Sequence, residues 1–170
     1  MELNDETLRF IHEHCKDNVR NLALQAPKYP GVDMPVALTQ IAGRQAAAEK
    51  IPSWYAEEGI LYPRHLSLEQ CSSEATARYK ASIIPESSSG TLTDLTGGFG
   101  IDCAFLSPKF HHVTYVERQE ALCEIASHNF QLLALNHIRI ENKDAIRHLQ
   151  EMSSVDWIFI DPARRNGHGG

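Results

Sequence analysis

The chain lacks a Cys-x-x-Cys pair. Its four cysteines are scattered, so they build neither a disulfide framework nor a zinc site, and a reducing compartment suits them. No signal-peptide h-region opens the chain and no apolar run approaches a bilayer-spanning length, which reads as a cytoplasmic protein. An excess of positive charge is missing too. With 16 Lys and Arg against 22 Asp and Glu, the net charge of −6 argues against a chain that coats nucleic acid by general electrostatics, while a local basic patch stays open. There is no internal repeat and no low-complexity tract; Ser87-Ser88-Ser89-Gly90 signals only a loop, within Pro85 to Gly90. A phosphate-binding P-loop is absent, and a dinucleotide fingerprint read from Gly98 would put its third glycine at Cys103.

What is present is organised around Thr91 to Asp102. A short β-prone run ends on Asp94, a glycine turn follows, and the apolar run Ile101 to Leu106 reads as a helix. Gly97, Gly98 and Gly100 allow positive φ and close approach of a ligand to the main chain. Asp102 falls in the first helical turn, where it repels a pyrophosphate; together with Asp94 it attracts a sulfonium or ammonium. S-adenosylmethionine carries both cations.

At 170 residues there is room for an α/β unit with a helical attachment. We place an N-terminal helical domain over 1–66 and an α/β domain over 67–170. Leu8, Ile11, Cys15, Val19, Leu22 and Ala23 recur at helical spacing after an Asp5 cap, and Pro27 and Pro30 end the pattern. A further helix starts near Pro35 and carries Leu38, Ile41, Ala42, Gln45 and Ala46 up to Ile51-Pro52, with Arg44 and Lys50 solvated. His12, His14 and Cys15 point in different directions on a helix, so no metal site is read there. Ser53 to Pro63, with Trp54, Tyr55 and Tyr62, is a connection packed on aromatic rings. Ser67 to Gln70 matches a capping box and opens a helical run to Ile84, broken near Ser72.

After the glycine loop the rhythm is that of a parallel sheet. His112 to Val116 is a strand ending on Glu117; Leu122, Ile125, Ala126, Phe130 and Leu133 form one helix face; Ile138 to Ile140 is a strand followed by Asp144. Val155 to Ile160 is almost wholly apolar, the pattern of a strand buried on both faces, and it runs into Asp161-Pro162-Ala163-Arg164-Arg165. Ligands of open α/β sheets bind outside the carboxyl ends of the strands. Asp94, Glu117, Asp144 and Asp161 therefore line one cleft. Glu117 is placed to accept both hydroxyls of a ribose, Asp144 an adenine amino group, and Asp161 faces the methyl acceptor. Taken singly, each acid reads equally well as a loop residue or helix cap.

From about Ser72 to Arg165 the chain resembles a class I S-adenosylmethionine-dependent methyltransferase, with Asp94 to Gly100 as motif I, Glu117 as the ribose acid, Asp144 as the adenine-side acid and Asp161-Pro162 as motif IV. More narrowly, Leu66 to Ala77 together with Asp161 to Arg165 is similar to bacterial methyltransferases that carry a C-terminal THUMP-like domain. The resemblance implies a Rossmann-like class I sheet of parallel order 3-2-1-4, preceded by helices. It implies S-adenosyl-L-methionine held by Asp94, Thr96, Gly97, Gly98, Gly100, Asp102, Glu117, Arg118, Asp144, Ala145 and Asp161, catalysis at Asp161, Pro162 and Arg164, no metal, and an RNA substrate. Ala163 and Arg164 stand where amino-group methylases have proline and an aromatic ring. Asp-Pro-Ala-Arg is instead similar to the motif of uridine C5-methyltransferases, and the acceptor atom stays open. The last three strands of the fold are missing, which reads as a fragment holding most of the cofactor pocket. For RNA phosphate, Arg164 and Arg165 are the best-placed cations, with Lys80 and Arg78 behind them and a pairing of Arg164 with Asp161 or Glu74 as the competing reading. Methylation of a protein or small molecule, and a non-catalytic module that binds RNA or a partner, are the alternatives.

Overall fold

The computed structural model describes residues 3–85 and 90–162. The chain folds as two compact units, Met1–Glu69 and Gln70–Gly170. The loop expected at Pro85 to Gly90 and the end of the chain from Ala163 lie largely outside the described residues.

The first unit is helical: α1 (Asp5–Glu13), α2 (Val19–Leu24), a 3-10 turn (Ala26–Lys28), α3 (Met34–Lys50), α4 (Pro52–Ala56) and α5 (His65–Gln70), whose last residue passes into the second unit. Asn4, not Asp5, caps α1, because its side-chain oxygen accepts the Thr7 N–H at 2.8 Å. Asn18 caps α2 in the same way. Leu22 and Ile41 are buried as the spacing predicts, with Ile11, Val19 and Leu38 packed against them, and Phe10, Met34 and Ala37 complete the core, while Leu8, Gln45 and Ala46 are exposed. Thr7 is fully buried and stays satisfied, its hydroxyl accepting the Asp33 N–H at 2.9 Å. Arg44 and Lys50 are not simply solvated. Arg44 stacks over the Tyr55 ring at 4.9 Å, and the Lys50 ammonium donates to the Leu68 and Glu69 carbonyls. Ser67 lies inside α5, so the capping box does not form there. His14 pairs with Asp17 at 2.7 Å, and among the described residues no group of three or more potential ligands could hold a metal ion.

Between Gly59 and Pro63 the chain is tied to α3 through Gln40. Gln40, buried on α3, donates to the Tyr62 carbonyl at 2.9 Å and accepts the Tyr62 N–H at 2.8 Å. Gly43, one turn on, leaves room for Tyr62, whose Cβ lies 2.3 Å from where a Gly43 Cβ would be.

The second unit begins with α6 (Glu74–Ile83), capped by Ser73, and continues β1 (Thr91–Asp94), α7 (Ile101–Leu106), β2 (His112–Glu117), α8 (Glu120–Leu132), β3 (Ile138–Asn142), α9 (Ala145–Glu151) and β4 (Trp157–Phe159). The sheet is wholly parallel in the order β3-β2-β1-β4. Pairing of Thr91 with His112 and of Leu92 with Trp157 fixes the register, so all four strands end on the same side. At the opposite end Asp156 staples β4 to β1, its carboxylate accepting the Thr91 N–H at 2.8 Å and the Thr91 hydroxyl at 2.9 Å.

β4 departs from expectation. It is three residues long, and Trp157 and Ile158 are 39% and 45% exposed. An apolar run predicts burial on two faces only for a strand flanked on both sides, and among the described residues β4 pairs with β1 alone. No helix among the described residues is long and apolar enough to cross a membrane.

Replacing Gln40 with Met keeps the side-chain volume but strands a buried N–H and a buried carbonyl. Urea unfolding of Gln40→Met should show a loss of about 2–4 kcal/mol, and an unchanged midpoint would mean that Tyr62 finds other partners.

Candidate functional site

β1 ends on Asp94, which is 1% exposed. Its Oδ1 accepts the Thr96 N–H at 2.9 Å, and the Thr96 hydroxyl lies 3.3 Å away. Among the described residues Oδ2 has no hydrogen-bond partner. Desolvation pushes the Asp94 pKa up to about 7, helped by the charge of Asp102 and opposed by the Thr96 bonds and by Lys80. Thr96 also reaches the far strand, since its Oγ1 accepts the Asp161 N–H at 2.8 Å.

The glycine loop that follows is held from below. The Tyr115 hydroxyl donates to the Gly98 carbonyl at 2.6 Å, and its ring meets Phe130 edge-on at 5.6 Å. Gly97 is glycine because the Tyr115 ring occupies the space a Cβ would take, at 2.3 Å. Gly100 needs its left-handed φ of 89° to start α7, and Phe130 packs on it. Gly98 is different. Its φ is 54°, yet among the described residues a Cβ there would meet nothing closer than the Thr96 carbonyl at 3.7 Å, so this part of the loop opens outward.

Glu117 at the end of β2 turns back to the loop, accepting the Gly98 N–H at 3.0 Å through Oε2 and the Gln119 N–H at 2.8 Å through Oε1. Arg118 is exposed in the turn beside it. Asn142 ends β3 and donates to the Glu117 carbonyl at 2.9 Å, a contact that nothing in the local pattern signals. Asp144 caps α9, its Oδ1 accepting the N–H groups of Ile146 and Arg147, and Ala145 is the first residue of that helix. The acids thus gather at one end of the sheet, and three of them, Asp94, Glu117 and Asp144, are partly spent on backbone N–H groups.

Lys80 alters the charge balance that the sequence suggests. From α6 its ammonium donates to Ser72, Asp102 and Asp161, so Asp102 does not act as a bare charge at the start of α7. Nor is Lys80 free to meet RNA phosphate. Arg78 is likewise engaged, with Glu74 at 2.7 Å and over the Phe105 ring at 4.9 Å. The two acids considered for Arg164 therefore already hold other cations. Pro162 is exposed, and Ala163, Arg164 and Arg165 lie outside the described residues. Cys103 and Cys123 are buried, and burial raises both thiol pKa values, which keeps them protonated at neutral pH.

Set against known proteins, the chain has a counterpart in overall structure. A crystal structure of a putative methyltransferase from Porphyromonas gingivalis W83 superposes with a TM-score of 0.75 and 28% identity, over 97% of this chain and 43% of that one. The α/β unit has the Rossmann-like class I methyltransferase fold. In sequence, the chain is 28% identical over 71 residues to the 23S rRNA (uracil(1939)-C(5))-methyltransferase RlmD of Chromohalobacter salexigens, a match covering 42% of this chain and 15% of the relative. The chain thus spans less than half the length of either protein. No family model matches it.

The buried Asp94 gives a signed pH effect. Its folded pKa lies above the unfolded one, so its contribution to stability is complete below about pH 4 and is lost as pH rises through about 7. In Asp94→Asn that loss should vanish, and the variant should gain about 1 kcal/mol or more on its parent between about pH 4 and pH 8. Thermal unfolding across that range checks it; parallel pH curves would show that Asp94 ionises normally.

Proposed function

We propose that the chain binds S-adenosylmethionine at the glycine loop and serves methyl transfer to an RNA base in the cytoplasm, as part of the bacterial enzymes that carry a THUMP-like domain. The observation that carries this reading is Gly98, left-handed and open, at the tip of a loop framed by Asp94 and Glu117. Support also comes from the likeness to a methyltransferase over nearly the whole chain and from the ribosomal-RNA methyltransferase relative.

The side chains suit the cofactor. Asp94 Oδ2 and Asp102 Oδ1 are buried acceptors with no partner among the described residues, and acceptors of that kind suit a cationic ligand. Glu117 Oε2 has given one lone pair to the Gly98 N–H and keeps another for a ribose hydroxyl, while Oε1 accepts the Gln119 N–H at 2.8 Å and, more weakly, the Gln119 side-chain amide at 3.4 Å, which a second ribose hydroxyl would displace. Asp144 keeps Oδ2 for an adenine amino group while Oδ1 caps α9. When bound, the cofactor supplies an electrophilic methyl group on a sulfonium. Thr96, Gly97, Gly100, Arg118 and Ala145 shape the loop edges around it, and Asp161, Pro162 and Arg164 belong to the acceptor side. Their contribution is to hold the acceptor in line with the methyl group, so catalysis rests on positioning.

Calorimetry tests the cofactor. S-adenosylhomocysteine should bind and NADH should not, and Glu117→Ala should weaken binding at least about tenfold without unfolding the protein, each charge-assisted bond being worth about 1.5–3 kcal/mol. NADH binding with none for S-adenosylhomocysteine would overturn the reading.

The acceptor is tested separately. Replacing Arg164 and Arg165 together with Ala should weaken RNA binding and reduce its salt dependence by roughly one to two phosphate equivalents, with cofactor affinity unchanged. The same slope and affinity as the parent would remove these arginines from the RNA site. Mass spectrometry of RNA from a strain lacking the gene would then show whether a methylated base disappears.

A further inference from the structure

Lys80 stands between the first turn of α7 and the end of β4. Its ammonium donates to Ser72 Oγ at 3.0 Å, Asp102 Oδ2 at 3.1 Å and Asp161 Oδ2 at 2.7 Å. An ammonium has three N–H donors, and all three are used. No donor remains for a ligand. The charge also lies 5.1 Å from the centre of the Phe159 ring, which favours a cation at that spot. Burial alone would lower the Lys80 pKa, but the hydrogen bonds and charges of Asp161 and Asp102 outweigh it and hold the group above the ordinary lysine value.

The acids around this cation are not all satisfied. Asp94 is buried with Oδ2 unpartnered, and Asp102 leaves Oδ1 without a partner, both among the described residues. Two carboxylates are closed on Lys80, and among the described residues the third is held only by Thr96. The cleft therefore has a residual negative character whose size depends on Lys80.

We infer that Lys80 is a specificity-determining and positioning residue: by closing Asp102 and Asp161 into one ion triad, it sets how strongly the cleft prefers a ligand with a sulfonium cation over the same ligand with a neutral thioether. This rests on the methyltransferase reading, in which the sulfonium compound is the donor and the thioether its product. Restraint of that preference has a catalytic logic. A site that held the cation too firmly would stabilise the ground state, and only interactions stronger in the transition state accelerate a reaction. The same triad ties Asp161, on the acceptor side, to the helix that leaves the glycine loop.

The test is calorimetry of the whole protein at one salt concentration and about pH 8, where Asp94 is ionised, with S-adenosylmethionine and S-adenosylhomocysteine as the two ligands. In Lys80→Met the ratio of the S-adenosylhomocysteine Kd to the S-adenosylmethionine Kd should rise about threefold or more, because one positive charge has left the cleft. In Lys80→Arg, which keeps the charge, the ratio should stay within about twofold of the parent. Asp102→Asn should move it in the opposite direction, and this variant decides the matter if Lys80→Met does not fold. Ratios unchanged in both variants, with both ligands binding the parent, would overturn the role of Lys80 and leave the methyltransferase reading standing. A parent that binds neither ligand would overturn that reading, and this inference with it.

Discussion

A carboxyl group buried at the end of the central strand loses its water and must be compensated locally, and the geometry of the cleft follows from how Asp94 is compensated. Thr96 gives one oxygen of Asp94 its backbone N–H, with its hydroxyl alongside, and the same hydroxyl oxygen accepts the Asp161 N–H. One threonine thereby ties the ends of two strands to each other. The second oxygen of Asp94 is left for whatever occupies the cleft. Without that partner the acid is most easily borne in its protonated form, which is why its pKa approaches neutrality.

Around that acid the loop is built from below rather than by its glycines alone. Tyr115, buried in β2, fills the space under Gly97 and anchors the Gly98 carbonyl, and Phe130 of α8 supports both the Tyr115 ring and Gly100. The three glycines consequently answer three different constraints. One yields to a ring, one turns into a helix, and one is open on the side away from the protein. The last is the feature a ligand would use.

Charge is distributed by tertiary contacts. Asp102 and Asp161 lie on different elements and are brought to one ammonium that comes from a third, α6. Arg78, two residues away on the same helix, is spent on Glu74 and Phe105. The surface that a count of cations would assign to RNA is therefore partly internal structure, and the net field of the cleft is weaker than its acids suggest.

The order of the strands followed from the resemblance to class I methyltransferases, while the α/β alternation and the assembly of Asp94, Glu117, Asp144 and Asp161 at one sheet end were legible in the residues themselves. The signal there is local: glycines follow a strand, apolar runs alternate with amphipathic ones, and a parallel sheet has only one carboxyl end. The helix caps were misplaced by a residue at Asn4 and by six at Ser73, because a cap depends on backbone geometry that several neighbouring polar residues could provide. The apolar run of β4 has the pattern of a strand buried on both faces, yet Trp157 and Ile158 are exposed, in keeping with the strand's place at the edge of the order 3-2-1-4. The roles of Lys80, Tyr115, Asn142 and Gln40 were decided only by tertiary structure. Each reaches at least one group 17 or more residues away, up to 81 for Lys80 and Asp161, and no sequence period records such a pairing.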